Sequence, residues 1–331
     1  MKKWLSIVLA LCLCGCTAQT PSPPIGPEEN QKLTICTSHK QDVWWPIVKE
    51  FETRTGIWVE VIEGGTNELL EQLDKGDIKA DIVFGGGVET LDSYADLFAP
   101  YTSQHAREIL PQYHCESGIW TPFSSLPLVL IYNPKLVVPG TVSGWADLLN
   151  PELEGKIAFA DPTVSGSSYT ALATLLQAIG ADTDETLQAF AKNLDGRQLA
   201  SSGDVVSAVS SGEALVGITI EETALRRIHA GDTLVMVYPR DGTSCVPDGC
   251  AIVKGAAHLE NAQAFVDFTL SQDVQIFSQE QLFRRSVLTD LANAQEPRSL
   301  VQVDYDILWA SQNRDKLLMS WQFYFGTEDL P

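Results

Sequence analysis

Positive charge is scarce in this sequence. Its 331 residues include 22 Lys plus Arg against 43 Asp plus Glu, a formal net charge of −21. Nucleic acid needs a cationic face opposite its phosphates, so that class of partner is excluded, and an anionic membrane surface is equally unattractive. Long apolar runs are scarce too. The one that exists lies at the amino terminus, which excludes a polytopic membrane protein. Catalytic signatures are missing: there is no Gly-x-Ser-x-Gly elbow, no His-Glu-x-x-His and no Gly-x-Gly-x-x-Gly fingerprint. The five histidines, His39, His105, His114, His229 and His258, are scattered, and no internal repeat is evident. What is present is apolar material, 44% of residues. That suffices for one large or two medium cores at the usual ~100–200 residues per domain.

Lys2 and Lys3 precede the apolar stretch 4–13, the charge-then-hydrophobe order of an export signal too short to span a bilayer. The stretch ends in Leu13-Cys14-Gly15-Cys16, which resembles the lipobox of bacterial lipoproteins, with Cys16 as the residue acylated and Cys14 a mild departure at its position. An ordinary cleaved signal is the alternative. Residues 17–30 carry Pro21, Pro23, Pro24 and Pro27 and little apolar content, so they read as a semi-extended leash. The organisation expected is a signal peptide over 1–15, a lipidated tether over 16–31 and a folded body from Lys32, outside the cytoplasm and anchored to a bacterial membrane.

Seven cysteines are present. Cys12 and Cys14 leave with the signal, and Cys36, Cys115, Cys245 and Cys250 remain in the body. Cys245-Val246-Pro247-Asp248-Gly249-Cys250 encloses a Pro-Asp-Gly turn that predicts a local disulfide in an oxidising compartment. Metal binding there is the weaker reading, since no CxxC or nearby His completes a site. Pairing of Cys36 with Cys115 is left open.

From Lys32 the pattern is strand, helix, strand, helix, strand. Val43, Trp44, Ile47, Val48 and Phe51 recur at helical spacing until Gly56; Ile57, Val59 and Val61 alternate; Leu69, Leu70 and Leu73 form a second helix; and 80–84 runs into Gly85-Gly86-Gly87. This rhythm predicts a parallel sheet with helices on its faces. An extended apolar run at 126–132 interrupts it, and the rhythm restarts at Ile157. Two α/β rhythms joined by an extended connection imply two lobes. Ligands of such sheets sit beyond the carboxyl ends of the strands, where loops and helix amino termini converge.

The strongest local signal is 161–170, a hydroxyl- and glycine-rich turn feeding a helix. Backbone N–H groups at the helix start, with Ser165, Gly166, Ser167 and Ser168, suit a phosphate, phosphonate or carboxylate, although Ser and Thr are also the favoured caps of any helix. No lysine completes a nucleotide-hydrolysing loop. Thr37 and Ser38 occupy the turn after the first strand, and Gly86 and Gly87 permit close backbone approach after the third. Asp204 and Glu221, with Glu222 beside it, offer carboxylates for an amine or sugar hydroxyls, though on so acidic a chain most such groups are simply solvated. His39 falls in a site loop, and of Trp44 and Trp45 at least one belongs to the core. No metal site and no cofactor are expected.

Taken in order, Leu13 to Cys16, 51–57, 80–86, 126–135, 145–151 and 216–221 resemble the extracytoplasmic solute-binding proteins of ABC importers, in the branch of ferric-ion, aminoethylphosphonate and hexose-phosphate binders. The likeness covers roughly residues 32–287. It implies an α/β, type II-like periplasmic-binding-protein fold of two lobes joined by two crossing hinge strands, near 124–128 and 237–241. One lobe would hold 32–124 and 240–287, the other 125–239, with C-terminal helices over 288–331. It places ligand loops at Thr37, Ser38, Gly86, Gly87, Ser165 to Ser168, Asp204 and Glu221. It implies a monomer that hands a small solute to a membrane permease. Ferric binders of this kind carry adjacent tyrosines where this sequence has Glu221-Glu222-Thr223, so a phosphorylated sugar or phosphonate is the expected solute and ferric ion the alternative. A secreted metal-dependent phosphatase using Asp161 or Glu221 is the rival of another class.

Overall fold

A computed structural model describes residues 26–292 and 300–326. The expected signal peptide, Cys16 and most of the tether lie outside the described residues.

The first lobe opens as the rhythm predicts, with β1 (Lys32–Thr37), α1 (Gln41–Thr55), β2 (Trp58–Glu63), α2 (Thr66–Lys75), β3 (Ile82–Gly87) and α3 (Val88–Ser93), followed by β4 (Phe98–Ala99) and β5 (Thr121–Ser125). On α1, Val43, Trp44, Ile47, Val48 and Phe51 are buried, and Gly56 ends the helix in the left-handed region at φ 72°, where a side chain would be strained. The second lobe holds β6 (Leu128–Tyr132), β7 (Ile157–Ala158), α4 (Gly166–Ile179), α5 (Thr183–Leu194), α6 (Ser202–Ser211), β8 (Val216–Ile220), α7 (Glu221–His229) and β9 (Val235–Val237). The chain then returns to the first lobe through β10 (Pro247–Val253), α8 (Leu259–Thr269), α9 (Gln272–Leu282), β11 (Arg285–Ser286) and α10 (Thr289–Ala292), and ends in α11 (Ile307–Gly326).

The first sheet runs β11-β5-β10-β3-β1-β2, with β4 also on β10. β1 pairs parallel with β2 and β3, but β10 lies antiparallel between β3 and β5. The sheet is therefore mixed rather than parallel, because its central strand arrives from the other lobe. The second sheet, β7-β8-β6-β9, is mixed as well.

Strand β10 overturns the expected disulfide. Pro247, Asp248 and Gly249 do not turn: they are extended, all three paired with β5 and Asp248 with β3 as well, and Pro247 takes the first strand position, where its missing N–H costs least. At ~3.3 Å per residue, 247 and 250 are already roughly 10 Å apart. A disulfide spans at most ~7 Å between Cα atoms. Cys245 and Cys250 are free thiols, as are Cys36 and Cys115.

Two segments cross between the lobes side by side. The Leu126 N–H donates to Val246 O at 3.2 Å and Leu128 N–H to Ser244 O at 3.4 Å. The second crossing thus lies near 243–246, a few residues beyond 237–241, where Val237 still belongs to β9 and Asp241 accepts from the Trp145 N–H of the second lobe. A third segment joins them: Thr243 N–H donates to Val301 O at 2.9 Å and Val303 N–H to Thr243 O at 3.0 Å. Helix α11 then touches both lobes. Leu317, Leu318 and Trp321 enter the second-lobe core, while the Arg314 guanidinium lies 5.2 Å from the Tyr94 ring of the first lobe and 5.9 Å from Tyr169 of the second. Among the described residues no helix is long and apolar enough to cross a membrane.

Candidate functional site

A cleft of about 430 Å³ lies between the lobes, at the carboxyl ends of β1, β3 and β8. Helix amino termini dominate its walls. Lys40, Gly65, Ser165, Ser201 and Ile220 all line it, and these are the residues immediately before α1, α2, α4, α6 and α7. Only at α4 does a side chain cap the helix, with Ser165 Oγ accepting from the Ser168 N–H at 3.3 Å. Each uncapped terminus leaves N–H groups that an acceptor can use, and the helix dipoles add positive potential. Hydroxyls of Ser38, Thr66, Ser165, Ser167, Ser201, Ser202 and Thr223 supplement them.

The floor is a buried ion cluster built from four distant segments. Arg284 Nη1 donates to Asp248 Oδ2 at 2.6 Å and to Ser124 Oγ at 2.9 Å, and His39 Nε2 stands 2.6 Å from the same Asp248 oxygen. The Ser124 N–H and Oγ donate to Asp248 Oδ1 at 2.8 and 2.7 Å. Burial alone would raise the Asp248 carboxyl, but Arg284, His39 and Ser124 outweigh it and hold it down to about 2. His39 moves the other way: burial first, then the charge of Arg284, lowers its pKa and keeps the ring neutral. With Nε2–H directed at the carboxylate, Nδ1 is left an acceptor, and it is buried without a hydrogen-bond partner among the described residues. Glu222, 3.8 Å from Arg284 Nη2 and 2.5 Å from Arg226 Nε, reaches the cleft from the second lobe.

The lobes are closed on one another around this space. Asn67 Nδ2 of the first lobe donates to Pro162 O of the second at 2.9 Å, and Thr170 of α4 hydrogen-bonds the buried Glu89 of α3. At Gly65 an added Cβ would lie 2.6 Å from Val164 O of the facing lobe, so glycine is what allows this approach.

Of the residues singled out in the sequence, Ser38, Gly86, Gly87, Ser165, Gly166 and Ser167 line the cleft. Four do not. Thr37 is fully buried, donating to Phe84 O at 2.6 Å and accepting from His39 N–H at 3.1 Å, so it shapes the loop from behind. Ser168 turns inward on α4, exposed by only 5%. Asp204 is exposed and accepts from Ser201 Oγ at 2.8 Å. Glu221 points away from the cleft to Arg285, and it is its neighbour Glu222 that lines the space, because successive helical side chains diverge by ~100°. Asp248, Arg284, Lys40 and the 64–66 turn also line the cleft and were not singled out as site residues in the sequence, where Asp248 was read as part of a turn. Only Lys40 carried a signal, as a cation just before a predicted helix in a loop already under suspicion. Among the described residues no group of three His, Cys, Asp or Glu is close enough to hold a metal ion.

Two α/β lobes, crossing segments between them and a polar cleft at the seam define a binding protein that closes on a small solute. The chain belongs to the family of bacterial extracellular solute-binding proteins, which matches residues 34–284. It is similar to an uncharacterized protein of Haemophilus influenzae, 28% identical over 96% of both chains. It is also similar to iron uptake protein A1 of Synechocystis, 25% identical over 86% of this chain and 84% of the other. Among solved structures it resembles the periplasmic binding protein AfuA of Actinobacillus pleuropneumoniae with fructose 6-phosphate bound. That likeness has a TM-score of 0.80 and 26% identity, and it covers 89% of this chain and 99% of the other.

Proposed function

We propose that the protein is the solute-capturing lipoprotein of an ABC importer, tethered through Cys16 and handing a small anionic solute to a membrane permease by hinge closure. A phosphorylated sugar is the preferred solute class and a phosphonate the next. The observation that carries this reading is the convergence of five helix amino termini on one cleft, four of them without a side-chain cap. On a chain of net charge −21, an anion has to be held by local N–H groups, hydroxyls and a few placed cations rather than by overall attraction. Glu222 gives an acceptor for sugar hydroxyls or an amine. The fructose 6-phosphate held by the related binding protein supports the same class. Ferric ion fits less well, since no tyrosine is among the lining residues to supply phenolate oxygen.

Binding without turnover is part of the proposal. Calorimetry on the soluble body, residues 26 to 331, with fructose 6-phosphate, glucose 6-phosphate, 2-aminoethylphosphonate and Fe(III) citrate tests it. Heat from a phosphate ester or phosphonate, with no inorganic phosphate released, is the expected result. Heat from iron citrate alone overturns the choice of solute.

A further inference from the structure

Lys40 stands apart from the other cations around the cleft. Arg284 is held by Asp248, Arg285 by Glu221, Arg227 by Asp232 at 2.6 Å, and Arg226 by Asp42 and Glu222. The Lys40 ammonium makes no side-chain hydrogen bond or ion pair among the described residues. The two carboxylates that face it, Asp42 and Glu222, are both engaged by Arg226, and Arg226 and Arg227 add positive charge of their own. Lys40 keeps exposed surface, yet protein from both lobes crowds the ammonium, and that desolvation lowers its pKa.

The ammonium reaches across the seam. A Cβ placed on Gly203 would lie 2.8 Å from Lys40 Nζ, so a first-lobe cation rests against the first turn of second-lobe helix α6. That turn is uncapped: the Ser201 hydroxyl donates to Asp204 instead of serving the backbone. Closure therefore sets an unpaired ammonium against the positive end of a helix; the nearby Glu222 and Asp42 offset it only in part, since both are already engaged by Arg226. An oxyanion seated beside this contact, on the cleft side, accepts from both and turns repulsion into attraction.

We propose that Lys40 is the charge-selecting residue of this protein, the group from which the anionic moiety of the solute receives its first-lobe contact while the α6 amino terminus supplies the second. This rests on the anion-binding reading above and deepens it. It locates the charged end of the solute at 40 and 201–203, and leaves the neutral body to the 64–66 and 165–167 side of the cleft. A neutral solute of the same shape closes the lobes poorly, since the repulsion stays in place.

The test is calorimetry with fructose 6-phosphate and fructose on the wild type, Lys40→Gln and Lys40→Arg, at low and moderate salt, with melting temperature as the control for folding. Wild type is expected to prefer the phosphorylated sugar. Lys40→Gln should weaken it about tenfold or more and flatten its salt dependence, and Lys40→Arg should restore much of both. If Lys40→Gln binds fructose 6-phosphate as tightly as wild type, Lys40 is not the selector and the anion reading survives. If wild type binds fructose and fructose 6-phosphate equally, or neither, the anion reading falls and the role of Lys40 with it.

Discussion

Glu221 receives Arg285 Nε at 2.6 Å and Nη2 at 2.7 Å, a two-pronged pair that joins the start of α7 in the second lobe to β11 in the first. Tyr238 Oη donates to the same carboxylate. The pair lies beside the cleft and not in it, so closure is supported by contacts that no solute touches. That matters for capture, because solute contacts then need only tip a balance between two arrangements of similar free energy.

Glu221→Gln leaves the Arg285 guanidinium, 17% exposed, without its countercharge. Removing one partner of a buried pair costs about 3 kcal/mol. The melting temperature should fall by several degrees while the cleft lining stays intact. An unchanged melting curve would show that the pair contributes nothing.

Gly65→Ala puts a methyl 2.6 Å from the Val164 carbonyl, a backbone atom that cannot swing aside. Overpacking of this kind costs roughly 1–3 kcal/mol, which is about five- to 150-fold in affinity for a closing solute. Solution scattering should show wild type contracting on binding and the variant contracting less. Equal contraction contradicts the contact.

Glu89 sits fully buried between the lobes, accepting from Thr170 and neighboured by Asp92, Arg314, Tyr169 and Tyr305. Burial pushes its carboxyl up to about 7 from an ordinary 4.5. A raised acid holds its proton in the folded state, so its contribution is full below about 4.5 and is lost as pH rises through about 7. Melting temperature should decline across that window in wild type, and Glu89→Gln should decline less. Identical pH profiles would rule Glu89 out as the cause.

Free thiols predict a simple chemical result. Burial raises Cys36 to about 11 and Cys245 to about 12, so both should alkylate slowly in the folded body. After denaturation without reductant, Cys36, Cys115, Cys245 and Cys250 should all take the label. A body in which Cys245 and Cys250 resist labelling until reduced would restore the disulfide.

Much of the architecture was legible because it rests on local periodicity. The face Val43, Trp44, Ile47, Val48 and Phe51 reads as a helix from spacing alone, and the Ser165 turn reads as a helix start from its caps. The buried cluster was not legible, since His39, Asp248 and Arg284 meet through three separate segments and share no spacing. The error at Pro247-Asp248-Gly249 has the same root: turn-forming residues were held extended by strands on both sides, a tertiary effect that outweighs local preference. Between Glu221 and Glu222, one residue of helical rotation decided which faces the cleft, and the strand before them gives no clue to that phase.

Helix α11 contributes nothing to the cleft lining, yet Trp321 is anchored in one lobe while Arg314, less than two turns earlier, lies over Tyr94 of the other. Any swing of the lobes has to shear that junction. A lobe movement on loading would reach that remote aromatic cluster, where indole emission or a dye attached nearby would serve as a gauge of loading without touching the cargo.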